Sequence, residues 1–283
     1  MTFWHDLRGV PHRLDWCDAN GISTRYVEIG TGPQTLVFLH GINGHLEVFL
    51  RNIAAHAAVG FRVIALDLLG HGYTGKPDKP YEIDDYLDHL TAFLEAMDVG
   101  RLSIAGTSLG GWISARFAAR HPERVASLSL ISSGGLTSYS GVMDKLRSLG
   151  TAAKSGRDAV RERLAFVIKD AANITDELID TRWAIYQQPD YIVALPHILC
   201  LQDLEIRARN LLSEDELGRV AAPTLVVWTR DDPTATVEDG QRYASAIPGA
   251  RFDVFDKSSH MPQFEEADRF NALHVPFVLE SAS

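Results

Sequence analysis

Gly106-Thr107-Ser108-Leu109-Gly110 ends a short apolar run, Leu102-Ser103-Ile104-Ala105, and a helical pattern through Ile113, Phe117 and Ala118 follows it. A serine in the pattern G-x-S-x-G sits on a sharp strand-to-helix turn with its hydroxyl exposed. The glycines on either side remove Cβ atoms that would clash in such a turn. The helix start behind the serine offers unpaired N–H groups to a developing negative charge. A neutral hydroxyl is a weak nucleophile, so Ser108 needs a base and an acid that orients the base. The chain has 11 histidines, and position selects among them. His260, in Lys257-Ser258-Ser259-His260-Met261-Pro262, lies in the loop after the last predicted strand, from which it can return to Ser108. His197 and His274 fall on predicted helices, His121 ends one, and His40 and His71 precede the serine. The order serine, acid, histidine places the acid after the run Thr224–Trp228, where Asp231 and Asp232 are both available. The residues alone leave that choice open. The glycine-rich loop His40-Gly41-Ile42-Asn43-Gly44-His45 can turn the Ile42 amide inward beside that of Leu109, giving two donors for an oxyanion.

The elements that must carry these groups alternate. Ile22–Ile29 reads as an opening strand after the turn at Asn20-Gly21. Thr35–Leu39 is a continuous apolar run, the mark of a strand buried on both faces; Phe61–Leu66 repeats the pattern, and Leu102–Ala105 and Val125–Ile131 read as further strands. Ile83 to Met97 carries apolar residues at helical spacing. From Leu136 to Arg209 there are helical patterns and no convincing strand; alternation then resumes with a strand at 224–228, a helix near 237–247, a strand at 251–255 and a helix near 264–279. The expected fold is an α/β domain with a mostly parallel sheet flanked by helices, made from residues 1–135 and 210–283, with residues 136–209 inserted as a helical lid. In open parallel sheets the ligand crevice lies at the carboxyl ends of the strands, which is where such an insertion would sit.

Composition narrows the partners. The 283 residues carry 37 acidic against 27 basic side chains, a formal charge of −10, and no dense basic cluster, which argues against nucleic acid. Cys17 and Cys200 form no metal spacing and no disulfide framework. The N-terminus lacks the apolar segment of a signal peptide, and no run is long enough to span a membrane, so a cytoplasmic protein is expected.

Taken together, His40-Gly41, Asp67 with Gly70-His71-Gly72, Gly106 to Gly111, His121-Pro122-Glu123-Arg124-Val125 and Ser259-His260 resemble the α/β-hydrolase fold across nearly the whole chain. The second half is similar to the meta-cleavage product hydrolases, which break carbon–carbon bonds in aromatic degradation. The segment Ile174 to Trp183, Gln188-Pro189, His260 with Pro262-Gln263-Phe264-Glu265, and Ala267 to Asn271 carry that likeness. The resemblance implies Asp232 as the acid, completing a Ser108–Asp232–His260 triad, and Ile42 and Leu109 as the oxyanion hole. It implies Arg182 as the group that grips a substrate carboxylate, since a guanidinium fork takes a carboxylate through two parallel hydrogen bonds. Thr107, Asn43 and Met261 are expected to contact substrate as well. Thr107 stands where the family usually has asparagine, Met261 where tryptophan often follows the histidine, and Val48 at a polar position of the first loop. No metal or organic cofactor is implied, and a homodimer is a family expectation. The implied reaction is hydrolysis of a C–C bond in a vinylogous diketone acid of the ring-fission type. An ester or lactone hydrolase with the same triad is the alternative, and a non-catalytic small-molecule receptor on this fold is the remote one.

Overall fold

The computed structural model describes residues 3–282. Its eight strands are β1 (His12–Ala19), β2 (Ile22–Ile29), β3 (Gln34–Leu39), β4 (Phe61–Leu66), β5 (Leu102–Thr107), β6 (Val125–Ile131), β7 (Thr224–Thr229) and β8 (Arg251–Phe255). They form one sheet in the order β1-β2-β4-β3-β5-β6-β7-β8. β2 runs antiparallel to both β1 and β4, and the remaining neighbours are parallel. The expected α/β architecture is present. Every residue of β5 and β7 is buried, as helices on both faces require.

β1 has no counterpart among the strands expected from the sequence. Its burial pattern is exposed almost throughout, so it shows no apolar face to read. Asn20 (φ 54°) and Gly21 (φ 83°) turn the chain back into β2, where paired left-handed residues match the strand twist.

Chain order places the site. From β3 the chain crosses to β4 on one side, then returns to β5 on the other. The carboxyl ends of β3 and β5, with Leu39 opposite Gly106, therefore form a switch point where two loops diverge. One loop begins at His40 and the other carries Ser108. Between β6 and β7, helices at Ser140–Ala152, Arg157–Val167, Asp176–Tyr186, Pro189–Ile198 and Leu204–Asn210 occupy the region expected to be helical. The expected closing helix is broken at Glu266 into Pro262–Glu265 and Ala267–Ala282. Among the described residues, no helix is long and apolar enough to cross a membrane.

Candidate active site

Ser108 has φ 56° and ψ −113°, a strained conformation for a residue with a side chain. Three backbone hydrogen bonds hold it: Ser108 N donates to Ile131 O at 2.9 Å, and Trp112 N and Gly134 N both donate to Ser108 O at 3.0 Å. The glycines around it are required by contact as well as by conformation. A Cβ on Gly106 would collide with the Gly110 carbonyl, and one on Gly110 with the Leu39 carbonyl. A Cβ on Gly41 would lie 3.1 Å from that of Ser108, so the first loop and the serine turn touch. Leu109 opens helix Leu109–Arg120, and its N–H has no intrahelical acceptor by position.

His260 and Asp232 meet each other, and His260 lines one cavity with Ser108. His260 Nδ1 lies 2.9 Å from Asp232 Oδ2 and 3.0 Å from Oδ1. The Asp232 side chain is fully buried and also accepts from Thr234, at 2.8 Å from the amide and 2.7 Å from the hydroxyl. Burial pushes its carboxyl up, but the charge and hydrogen bond of His260 and the two Thr234 donors outweigh this, so it lies below its ordinary value. The neighbouring Asp231 faces outward and pairs with Lys169 Nζ at 2.5 Å. The geometry thus separates the two aspartates that the residues alone left open.

The competing histidines are otherwise engaged. His40 Nδ1 contacts Gly41 O at 2.7 Å while its Nε2 accepts from Leu68 N at 3.0 Å, which defines a neutral tautomer. Burial lowers its pKa well below the usual value, and burial likewise takes His71 down to about 4. His274 bridges His56 and Ser129 inside the core, and His197 pairs with the exposed Asp78.

Two cavities flank Ser108, each with about 520 Å³ of empty space partly open to solvent. Ile42, Ser108, Leu146 and Thr234 line both, so they meet at Ser108. The proximal cavity adds His260, Met261, Thr107, Arg163 and Arg182. The distal one adds Leu109, Trp112 and Arg207. Of the expected substrate contacts, Arg182, Thr107 and Met261 line the proximal cavity. Asn43 does not. It is buried with φ 55°, its carbonyl accepts from Tyr186 Oη at 2.9 Å, and its side-chain amide lies over Gly150.

Arg182 is 4% exposed and its Nε has no partner among the described residues. Burial lowers its pKa, Tyr186 and Tyr191 partly offset this, and Arg163 adds to it. A guanidinium remains charged through such a shift. Arg163 is also buried; its Nη atoms make long contacts of 3.5 Å to Leu146 O and 3.3 Å to Ile42 O, and its Nε is unpaired. Both buried guanidinium groups thus keep an Nε without a partner, a donor of the kind that pairs with a carboxylate.

Arg163, Thr234 and Glu265 were not among the expected site residues. Arg163 had a legible signal: it falls in the apolar stripe Val160, Leu164, Val167 of its helix, as Arg182 falls among Leu178, Ile179, Ile185 and Tyr186. Glu265 accepts from Ser259 N at 2.8 Å and from Lys169 N and Asp170 N at 2.7 and 3.0 Å, tying the histidine loop to the segment after helix Arg157–Val167. Nothing in the sequence marked it for that role.

Comparison with known proteins follows the same lines. Residues 34–267 match a sequence model described as the alpha/beta hydrolase fold. A 2-hydroxy-6-oxononadienedioate/2-hydroxy-6-oxononatrienedioate hydrolase of Paraburkholderia xenovorans is 30% identical over 91% of each chain. A 2-hydroxy-6-oxo-6-(2'-aminophenyl)hexa-2,4-dienoic acid hydrolase of Metapseudomonas resinovorans is 29% identical over 94% of this chain and 90% of its own. Among solved structures, a mutant of the meta-cleavage product hydrolase CumD superposes with a TM-score of 0.82 at 25% identity, covering 94% of this chain and 98% of the other.

Proposed function

This chain belongs to the α/β hydrolase fold family, and we propose that within it the protein is a serine-dependent hydrolase of ring-fission dienol acids, cleaving the C–C bond beside their distal ketone. The observation that carries this reading is the pair Arg163 and Arg182, buried cations with unspent donors in the same cavity as Ser108 and His260. A substrate carboxylate held there places the distal carbonyl over the serine, so binding energy orients the reacting carbon.

The steps use the chain's own groups. His260 mediates proton movement that converts the dienol to its keto form. Its neutral imidazole then takes a proton from Ser108 or from a water that the serine positions, and Asp232 stabilises the imidazolium. The oxygen charge developing on the carbonyl is received by the Ile42 and Leu109 amides, each of a kind worth about 10²–10³ in rate. Cleavage passes the bonding electrons to the dienol fragment, which takes a proton, and water supplies hydroxide to the acyl fragment. One water is consumed and two acids result.

Val48 and Met261 in the proximal cavity supply no strong hydrogen-bond donor for a dienol, which favours ester or lactone hydrolysis as the second reading. A panel of coloured ring-fission dienols and aryl esters separates the two. Bleaching of a dienol with a kcat/KM above that for the esters is expected; ester turnover with every dienol left intact would transfer the protein to the second reading. The family relationship also supports a homodimer in the cytoplasm, and sedimentation of the purified protein as a monomer would remove the dimer.

A further inference from the structure

One carboxylate, outside both cavities beside Ser108, joins the segment that carries His260 to the helix that carries Arg163. Glu265 closes the short helix Pro262–Glu265 and is half-buried. Its Oε1 accepts from Ser259 N at 2.8 Å, the amide beside His260. Its Oε2 accepts from Lys169 N at 2.7 Å and Asp170 N at 3.0 Å, just beyond helix Arg157–Val167. Arg163 and Val167 of that helix line the proximal cavity, and Arg163 Nη2 reaches the Ile42 carbonyl at 3.3 Å. Each oxygen thus serves a different segment, and all three donors are backbone amides. Burial raises the Glu265 carboxyl above its ordinary value, although the three amides pull the other way. A second tie runs in parallel: Arg51 Nη1 donates to Phe264 O at 2.8 Å and to Asn173 Oδ1 at 3.0 Å. The two segments therefore stay joined when Glu265 is changed.

A carboxylate that accepts from several N–H groups fixes their relative positions, because charge-assisted hydrogen bonds are short and strong. The groups so fixed are the base and one cation of the anion grip. A substrate anchored by its carboxylate cannot shift to follow a displaced base, and a misplacement of about 1 Å can cost about 10²-fold in rate. An unanchored substrate can shift. We propose that Glu265 is a positioning residue that sets the distance between His260 and the Arg163 helix, and so matches the base to substrates held by a carboxylate. It acts through these two elements and not on the reacting atoms. The proposal rests on the reading of Arg163 and Arg182 as the anion grip.

The test compares the wild type with Glu265→Gln and Glu265→Asp, each assayed well below its own Tm. Glutamine keeps the size but offers one oxygen, so it cannot serve both segments. Aspartate keeps the charge and both oxygens on a shorter stem. One substrate pair is a ring-fission dienol acid and its carboxamide; the other is 4-nitrophenyl hemiadipate and 4-nitrophenyl hexanoate. In Glu265→Gln, kcat for the carboxylate members is expected to fall by about tenfold or more and kcat for the neutral members by less than about threefold. KM for the carboxylate members should move by less than about threefold, because both arginines remain. Glu265→Asp should recover part of the lost kcat. A tie that serves stability alone lowers kcat for both members of a pair by the same factor, and that result overturns the proposal. So does a rise in KM with kcat unchanged. The premise is checked apart from this: equal effects of Arg182→Ala on both members of each pair would remove the anion grip, and the proposal with it. With the grip intact, equal losses in Glu265→Gln remove the proposal alone. A split seen on the esters while no dienol is cleaved retains the role of Glu265 and discards the carbon–carbon chemistry.

Discussion

His260 Nδ1 stands 2.9 Å from Asp232 Oδ2, and the carboxylate receiving it is closed off from solvent and fixed from behind by both donors of Thr234. This contact decides which ring nitrogen carries the proton. With Nδ1–H directed at Asp232, Nε2 is left with its lone pair to act as the base.

Asp232→Asn keeps the shape of that contact and reverses its donor pattern. The imidazole is then held in the wrong tautomer, and kcat is expected to fall by about 10⁴-fold with the fold preserved. Steady-state kinetics beside circular dichroism checks this; a loss below tenfold would remove Asp232 from the triad.

Arg182→Ala should raise KM for acidic substrates by about 10- to 100-fold, the cost of a charge-assisted contact, with a smaller effect on neutral esters. Arg163→Met should do the same to a lesser degree, because its Nη atoms already contact Leu146 and Ile42 carbonyls. Equal effects on acidic and neutral substrates would assign both arginines to lid packing.

Beneath the first loop, Arg25 joins Glu47 at 2.5 Å and Asp67 at 3.2 Å, with all three side chains buried. Burial raises the Glu47 carboxyl, but His45 and Arg25 bring it down to about 2. An unfolded glutamate titrates near about 4.3. A depressed folded value contributes stability that is fully present above that pH and is lost as pH falls through about 2. Glu47→Gln is therefore expected to cost about 3 kcal/mol at neutral pH, the lower part of the range for breaking a buried pair, since Asp67 still faces Arg25. The difference in Tm from the wild type should shrink as the pH approaches 2; a difference constant between pH 7 and pH 3 would show that Glu47 acts by packing alone.

Gly106→Ala forces a Cβ against the Gly110 carbonyl and the Gly111 amide, and neither can move without rebuilding the serine turn. A loss of about 3 kcal/mol or more is expected, at the upper end for overpacking, and activity should fall with it. Thermal unfolding measures the first. A Tm equal to the wild type would mean that the turn accommodates a side chain.

The sheet and the serine turn were legible because each rests on local chemistry. Apolar runs marked β3 to β7, and the glycine-flanked serine marked its own turn. β1 was hidden because an edge strand exposed on both faces has no periodic signal, although Asn20-Gly21 announced a hairpin. The choice between Asp231 and Asp232 depended on which way a loop carboxylate points, which adjacent identical residues do not encode. Asn43 was expected against substrate from its loop, but its backbone is left-handed and its side chain lies over Gly150. Arg163 and Arg207 line the cavities beside Ser108 through the packing of helices between β6 and β7, a long-range fact; only their place on or near apolar stripes hinted that they were not surface charges.

The most direct measurement is hydrolysis of a ring-fission dienol acid in ¹⁸O-labelled water, followed by visible bleaching and mass analysis of both products. With wild-type protein, many turnovers are predicted, with label incorporated into the carboxylate of the acyl fragment and none into the hydroxydienoate, and with Ser108→Ala slower by orders of magnitude. A dienol that keeps its colour and its intact mass under conditions where the same protein rapidly hydrolyses aryl esters would contradict the assignment.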